Sequence, residues 1–272
     1  MNDVLYEVQQ SGVGLITLNS PDNLNALTPS MIKRLMNFIA DAEADPNTRC
    51  VAIAGTGRGF CAGTDIKILN ERQSSESTAA PDDEEVRHQR LLNLQKVQNG
   101  ISLKLHVMRK PTVAIVNGFA IGAGFSLALA CDLRLCGTDA KLSTGFRNLA
   151  ASGDMGGTYF LSKLVSESLA KELVFTAEML GAEKALQLGI TNRVYPQADL
   201  MQEALSFCAQ LASGPTFAMG LAKENLLAVN TMTAQAALDH EAENMIASLY
   251  SEDHREAVKA FMEKRKPHFL GR

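Results

Sequence analysis

Two glycine-rich junctions and one aspartate hold the chemistry open to this chain. The first junction, Gly55-Thr-Gly-Arg-Gly-Phe-Cys-Ala-Gly-Thr-Asp65, follows an apolar run at 50–54. The second, Asn117-Gly-Phe-Ala-Ile-Gly-Ala-Gly124, follows a β-branched run at 112–116 and leads into Ser126-Leu-Ala-Leu-Ala130, a strong helix former. A strand, a glycine turn and a helix aim the unpaired N–H groups of the first helical turn at whatever lies above the strand end. Small residues at 122–124 let a ligand reach the main chain. Such a turn can hold a phosphate, a carboxylate or a thioester oxygen. Its order, G-x-x-x-G-x-G, is not the dinucleotide fingerprint, and the P-loop pattern is absent. Gly124-Phe-Ser126-Leu-Ala128 lacks the second glycine of a nucleophile elbow. Asp154 stands just before a helix predicted over 158–165, where a carboxylate can serve as a cap.

The elements that must position these residues read as an α/β chain. Runs at 4–9 and 13–18 flank Ser11-Gly12 and predict a hairpin. Thr28 N-caps a helix with Pro29 at its first position, and Met31, Leu35, Phe38, Ile39 and Ala42 give that helix one apolar face. The run at 50–54 shows no polar alternation, as expected of a strand covered on both faces. Two glycine junctions about 60 residues apart can meet at the C-terminal edge of one parallel sheet, where open α/β folds bind ligands. The acidic stretch 71–85 reads as a surface loop or a substrate lid. A long helix follows with Leu91, Leu94, Val97, Ile101, Leu105 and Met108 on its buried face. Short strands are predicted at 133–136, 141–142 and 192–195, and helices at 166–177 and 182–188. From 199 onward the pattern is almost wholly helical. The expected organisation is an α/β core over 1–198 and a helical packing or oligomerisation region over 199–272.

Composition removes several classes of function. The 272 residues are 46% apolar, enough for a full core, and the net charge of −4 argues against a nucleic-acid surface. Five cysteines form no C-x-x-C pair, and five histidines show no metal-ligand spacing, so neither a redox motif nor a metal site is expected. No stretch of about 18 uncharged apolar residues occurs, and the N-terminus has no signal-like segment. The expectation is a soluble cytoplasmic protein.

Taken together, these segments resemble the crotonase superfamily, the enoyl-CoA hydratase/isomerase family. The resemblance rests on Asn25-Ala26-Leu27, Gly59-Phe-Cys-Ala-Gly-Thr-Asp-Ile66, Asn117 to Gly124, Asp132, Gly156-Gly157-Thr158 and the tail Phe261-Met-Glu-Lys-Arg-Lys266. It implies a crotonase-like spiral of ββα units with a C-terminal helical trimerisation region, assembled as a homotrimer or homohexamer. Ala62 and Ala123 match positions whose N–H groups form the oxyanion hole for an acyl-CoA thioester. Proton removal beside a thioester builds charge on that oxygen, and a preorganised donor is worth roughly 3 kcal/mol of barrier. Ala26, Ala62, Gly63, Thr64, Asp65 and Ile66 match CoA contacts, as do Phe261 and Lys264 of the tail. The resemblance implies no cofactor beyond the coenzyme A that arrives with the substrate, and it assigns Asp132 a structural role.

The sequence departs from the hydratase pattern where chemistry is decided. The two glutamates that hold water in hydratases are replaced by Ser126 and Phe146. Phenylalanine transfers no proton, and serine is a poor base near neutral pH. Asp154 instead matches an acid kept by phenylacetate-pathway isomerases, by dienoyl-CoA isomerases and, as a nucleophile, by 4-chlorobenzoyl-CoA dehalogenases. The leading expectation is an enoyl-CoA isomerase with Asp154 as proton carrier. The alternatives are a hydratase using Ser126 and Asp154, a dehalogenase-like hydrolase, and a non-catalytic acyl-CoA binder in which Asp154 only caps a helix. Phe119, Phe125, Phe146 and Met155 are candidates for an apolar acyl pocket.

Overall fold

The computed structural model describes residues 2–65 and 84–272. Ile66 and the part of the acidic stretch that runs to residue 83 lie outside the described residues. The N-terminal hairpin is β1 (Val4–Val8) paired antiparallel with β2 (Val13–Leu18). Helix α1 (Pro29–Ala44) starts where expected: Thr28 accepts the Met31 N–H on its hydroxyl at 3.2 Å, and Met31, Leu35, Ile39 and Ala42 are buried.

Three strand pairs then repeat one plan. They are β3 (Cys50–Gly55) with β4 (Gly59–Cys61), β5 (Thr112–Val116) with β6 (Phe119–Ile121), and β7 (Leu133–Gly137) with β8 (Lys141–Ser143). The first strand of each pair joins a large sheet and the second turns away into a small one. With β9 (Leu180–Gly181) and β10 (Arg193–Tyr195), the orders among the described residues are β1-β2-β3-β5-β7-β10 and β4-β6-β8-β9. Neighbours β3, β5 and β7 run parallel, as do β4, β6 and β8. Each pair is displaced by one strand from the last, so the chain winds as a spiral of ββα units. The strands β4 and β6 lie within the stretches expected as glycine turns.

Between and after the strands run α2 (Glu84–Gln98), a π turn (Asn99–Leu103), α3 (Lys104–Val107), α4 (Ala123–Ala130), α5 (Gly157–Leu164), α6 (Glu167–Thr176) and α7 (Ala182–Gln187). The chain ends in α8 (Leu200–Ala212), α9 (Thr216–Ala228), α10 (Ala234–Leu249) and α11 (Glu252–Met262). Both faces of the large sheet are apolar. On β3, Val51 and Ile53 pack with α1 and α4, while Cys50 and Ala52 pack with Leu200, Ala204, Cys208 and Ala212 of α8. By this packing α8 is part of the α/β body, and the helical region expected to begin at 199 is not detached there. Every residue of α4 is buried, which is why its sequence shows no polar face.

Helix α2 departs from its predicted burial. Ile101, Leu105 and Met108 are in the core, yet no residue of α2 is buried, and Leu91 is 51% exposed. Asp132 has the structural place expected of it. It accepts the Thr112 N–H at 2.8 Å and pairs with Lys223 of α9 at 2.8 Å, tying the C-terminal helices to β5. All five cysteines are free thiols and buried. No helix among the described residues is long and apolar enough to cross a membrane.

Candidate active site

The two junctions meet because β4 and β6 are paired neighbours, with Gly59 opposite Phe119 and Cys61 opposite Ala120. Contact there is close enough to dictate glycine. A Cβ on Gly124 would fall 2.0 Å from the Cys61 carbonyl oxygen, and one on Gly63 would fall 2.7 Å from that of Ile121. Gly63 also takes φ +91°, a conformation open mainly to glycine.

A third segment, Leu24 to Leu27, decides which main-chain groups remain free. Asn25 is fully buried and clamps this loop: its amide donates to Gly59 O at 2.8 Å and Thr56 O at 2.9 Å, and its Oδ1 accepts from Ser20 N at 2.7 Å. The Ala62 N–H donates to Leu24 O at 2.9 Å, and the Asp65 N–H donates to Leu27 O at 3.3 Å. Gly63 N–H is taken by the Cys61 sulfur, and its carbonyl accepts from Leu27 N at 2.7 Å. Across 62–65 only the Thr64 N–H has no partner among the described residues. On the facing junction, Ala123 opens α4 with its N–H equally unpaired. Ala62 is therefore not the free donor that the sequence comparison assigned. Its N–H belongs to the fold, and Thr64 holds the open position beside Ala123.

Thr64 and Ala123 line one end of a cleft of about 900 Å³ together with Asp154 and Met155. Its walls are Leu27, Ile32 and Met36 on the α1 side and Leu94 and Val97 of α2 opposite, with Lys33, Arg90 and Lys96 among the lining residues. Among the described residues lining it, Asp154 is the only acid.

Asp154 sits in a tightly turned loop. Ala150, Gly153, Met155 and Gly156 all have positive φ, and for the buried Met155 (φ +55°) this costs about 1–3 kcal/mol. The carboxylate caps nothing: the N-cap of α5 is Gly156, with no side-chain cap bond. Its Oδ1 instead accepts from the Met155 N–H and, at 3.5 Å, from Gln98 at the end of α2. Burial pushes the Asp154 pKa above its ordinary value, against the two donors, which favour the charged form. The Cys61 thiol nearby is pushed up to about 12 by burial and stays protonated near neutral pH.

The other predicted site residues are placed as follows. Ser126 is buried, donates to Gly122 O at 3.1 Å, and is covered by Gly157, whose Cβ would fall 2.3 Å from its hydroxyl. It does not face the cleft. Of the four candidates for the acyl pocket only Met155 lines the cleft. Phe119 is exposed, Phe125 is in the core, and half-buried Phe146 lies against Gly122. Ala26, Gly63 and Asp65 flank the cleft through the loop contacts described, while Phe261 (82% exposed) and Lys264 stand at the surface beyond it. Sequence reasoning missed Gln98 and the apolar wall on α2, because nothing local marks a helix that faces a cleft rather than a core.

Comparison with known proteins follows the same lines. The profile of the family described as enoyl-CoA hydratase/isomerase matches residues 8–272. The 1,2-epoxyphenylacetyl-CoA isomerase of Escherichia coli is 34% identical over 272 residues, covering 100% of both chains. The short-chain-enoyl-CoA hydratase of Clostridium acetobutylicum is 32% identical, covering 98% of this chain and 97% of its own. Among solved structures, an enoyl-CoA hydratase from Polaromonas sp. JS666 superposes with a TM-score of 0.87 at 29% identity, covering 98% and 99% of the two chains.

Proposed function

The chain belongs to the enoyl-CoA hydratase/isomerase family, and we propose that within it the protein is an enoyl-CoA isomerase. It acts on acyl-CoA thioesters and shifts a double bond by moving one proton through an enolate. The observation that supports this reading is that Asp154 is the lone carboxylate among the described residues lining the cleft. Adding water takes one group to hold the water and another to exchange its proton, and neither replaced glutamate position supplies one: Ser126 is buried against Gly157, and Phe146 has no proton to give. One carboxylate suffices to take a proton from one carbon and return it to another.

Each part of the cleft has a task in this scheme. The thioester oxygen sits between the free N–H groups of Thr64 and Ala123, which stabilise the charge that builds there as the proton leaves. Asp154 takes that proton. Burial raises its pKa, which strengthens it as a base. The wall of Leu27, Ile32, Met36, Leu94 and Val97 keeps the acyl chain and the enolate away from water. Lys33, Arg90 and Lys96 suit the phosphates of coenzyme A, which comes and goes with the substrate. The exposed apolar side chains Leu226, Leu238, Ile246 and Tyr250 suit burial between copies in a homotrimer or homohexamer.

The test is a panel of 2-enoyl- and 3-enoyl-CoA thioesters offered to the wild type and to Asp154→Asn. Products of unchanged mass with a moved double bond, lost by 10²-fold or more in the variant, are expected. A product heavier by one water would refute the reading.

A further inference from the structure

Gln98 is the last residue of α2, and its amide donates to Asp154 Oδ1 at 3.5 Å. The Met155 N–H donates to the same oxygen. Among the described residues Asp154 Oδ2 accepts no hydrogen bond. The two oxygens of one carboxylate are thus made unequal. Oδ1 is held from two directions and is the less basic, and Oδ2 is left to carry a proton.

We propose that Gln98 is a positioning residue for Asp154: by holding Oδ1 it fixes the carboxylate plane and leaves Oδ2 to exchange the proton with the substrate. This rests on the isomerase reading and deepens it. For a 3-enoyl thioester, Oδ2 takes the proton from carbon 2, and the C–H electron pair passes into a dienolate on the thioester oxygen. The same proton returns to carbon 4, and the electrons settle as a bond between carbons 2 and 3. Asp154 ends as it began, and neither water nor an oxidant enters. A carboxylate free to rotate would present either oxygen and miss one of the two carbons. A held one serves both.

The fold builds this contact from two sides. Gln98 opens the π turn Asn99–Leu103, a wide turn that re-aims the helix before it and is a frequent device at functional sites. Downstream, Ile101 and Leu105 are fully buried and fix the rotation of the turn. Gly100 lets it close on α1, since a Cβ there would fall 2.4 Å from the end of Met36, which lines the cleft. On the other side the left-handed Met155 is itself buried and turns its N–H back onto the carboxylate. Among the described residues, the charged groups lining the same cleft besides Asp154 are Lys33 of α1 and Arg90 and Lys96 of α2, and Thr64 and Ala123 add none.

Gln98→Met keeps the length and removes the donor, and Gln98→Arg restores a donor. A donor to the charged form lowers a carboxyl pKa, so its loss raises it. In Gln98→Met the acid limb of kcat/KM for double-bond migration should move up, kcat should fall about tenfold and KM should change less than twofold. In Gln98→Arg the limb should sit at or below that of the wild type. Carbon-13 NMR of labelled aspartate carboxyls in the substrate-free protein gives an independent readout. Asp154 should titrate higher in Gln98→Met and not in Gln98→Arg. An unmoved limb and an unmoved Asp154 titration in Gln98→Met would overturn the proposal. If the wild type moves no double bond while the Asp154 titration shifts as stated, the isomerase reading fails and the hold of Gln98 on Asp154 stands.

Discussion

Replacing one backbone amide by an ester deletes an N–H and leaves the side chain in place, which makes Thr64 and Ala62 a decisive pair. The Thr64 N–H bonds to nothing among the described residues, so its loss removes no donor from the fold, and the ester only weakens the Gly63 carbonyl that accepts from Leu27 N at 2.7 Å. Stability should stay within about 0.5 kcal/mol of the wild type. If that N–H holds the thioester oxygen, its removal should raise the barrier by about 3 kcal/mol, a fall in kcat of about 150-fold. The ester at Ala62 should behave in the opposite way. It breaks the 2.9 Å bond to Leu24 O, which is worth about 1 kcal/mol and lowers Tm by about 2 °C in a chain of this size. Turnover should fall only as far as the loosened loop allows, less than about fivefold. Both proteins are made by incorporating the matching α-hydroxy acid and are assayed for double-bond migration and thermal melting. A large loss of kcat at Ala62 with none at Thr64 would refute the assignment of the donor, and with it the argument that the Leu24–Leu27 loop selects which amide is free.

Gly124→Ala would place a Cβ 2.0 Å from Cys61 O and force the two junctions apart. A loss of about 1–3 kcal/mol in denaturant unfolding, with kcat reduced more than KM is raised, is the expected result. Asp154 offers a stability test that needs no substrate. Burial holds its folded pKa above the ordinary 3.8, so it contributes stability when protonated, and that contribution is lost as pH rises through the folded pKa. Asp154→Asn should therefore melt higher than the wild type at pH 7, with the difference vanishing below pH 3.8. An equal or lower melting temperature at pH 7 would show that the two donors outweigh burial.

How much of this was legible in the sequence depended on whether a property is local. The capped start of α1, the doubly apolar strand β3 and the buried stripe of α1 follow from residue order alone, and the structure places them within a residue or two of their predicted bounds. The three-residue strands β4 and β6 were hidden because Gly59 and Gly118 read as turn, and only pairing between distant segments makes them strands. The same limit explains why the sequence singled out Ala62, whose N–H the fold has already used. Ala62 and Thr64 are two residues apart and equally plausible on paper. What separates them is that Leu24 and Leu27, held by a buried Asn25 that bonds Gly59 34 positions further along the chain, take the N–H groups of Ala62 and Asp65. Gln98 is the extreme case, since its partner lies 56 positions further along the chain. Chemistry in this chain is therefore set by which hydrogen bonds the fold leaves unmade. Among the described residues, a Thr64 N–H, an Ala123 N–H and an Asp154 oxygen without partners meet at one cleft, while the fold has used the N–H groups of Ala62 and Asp65 and the other oxygen of Asp154.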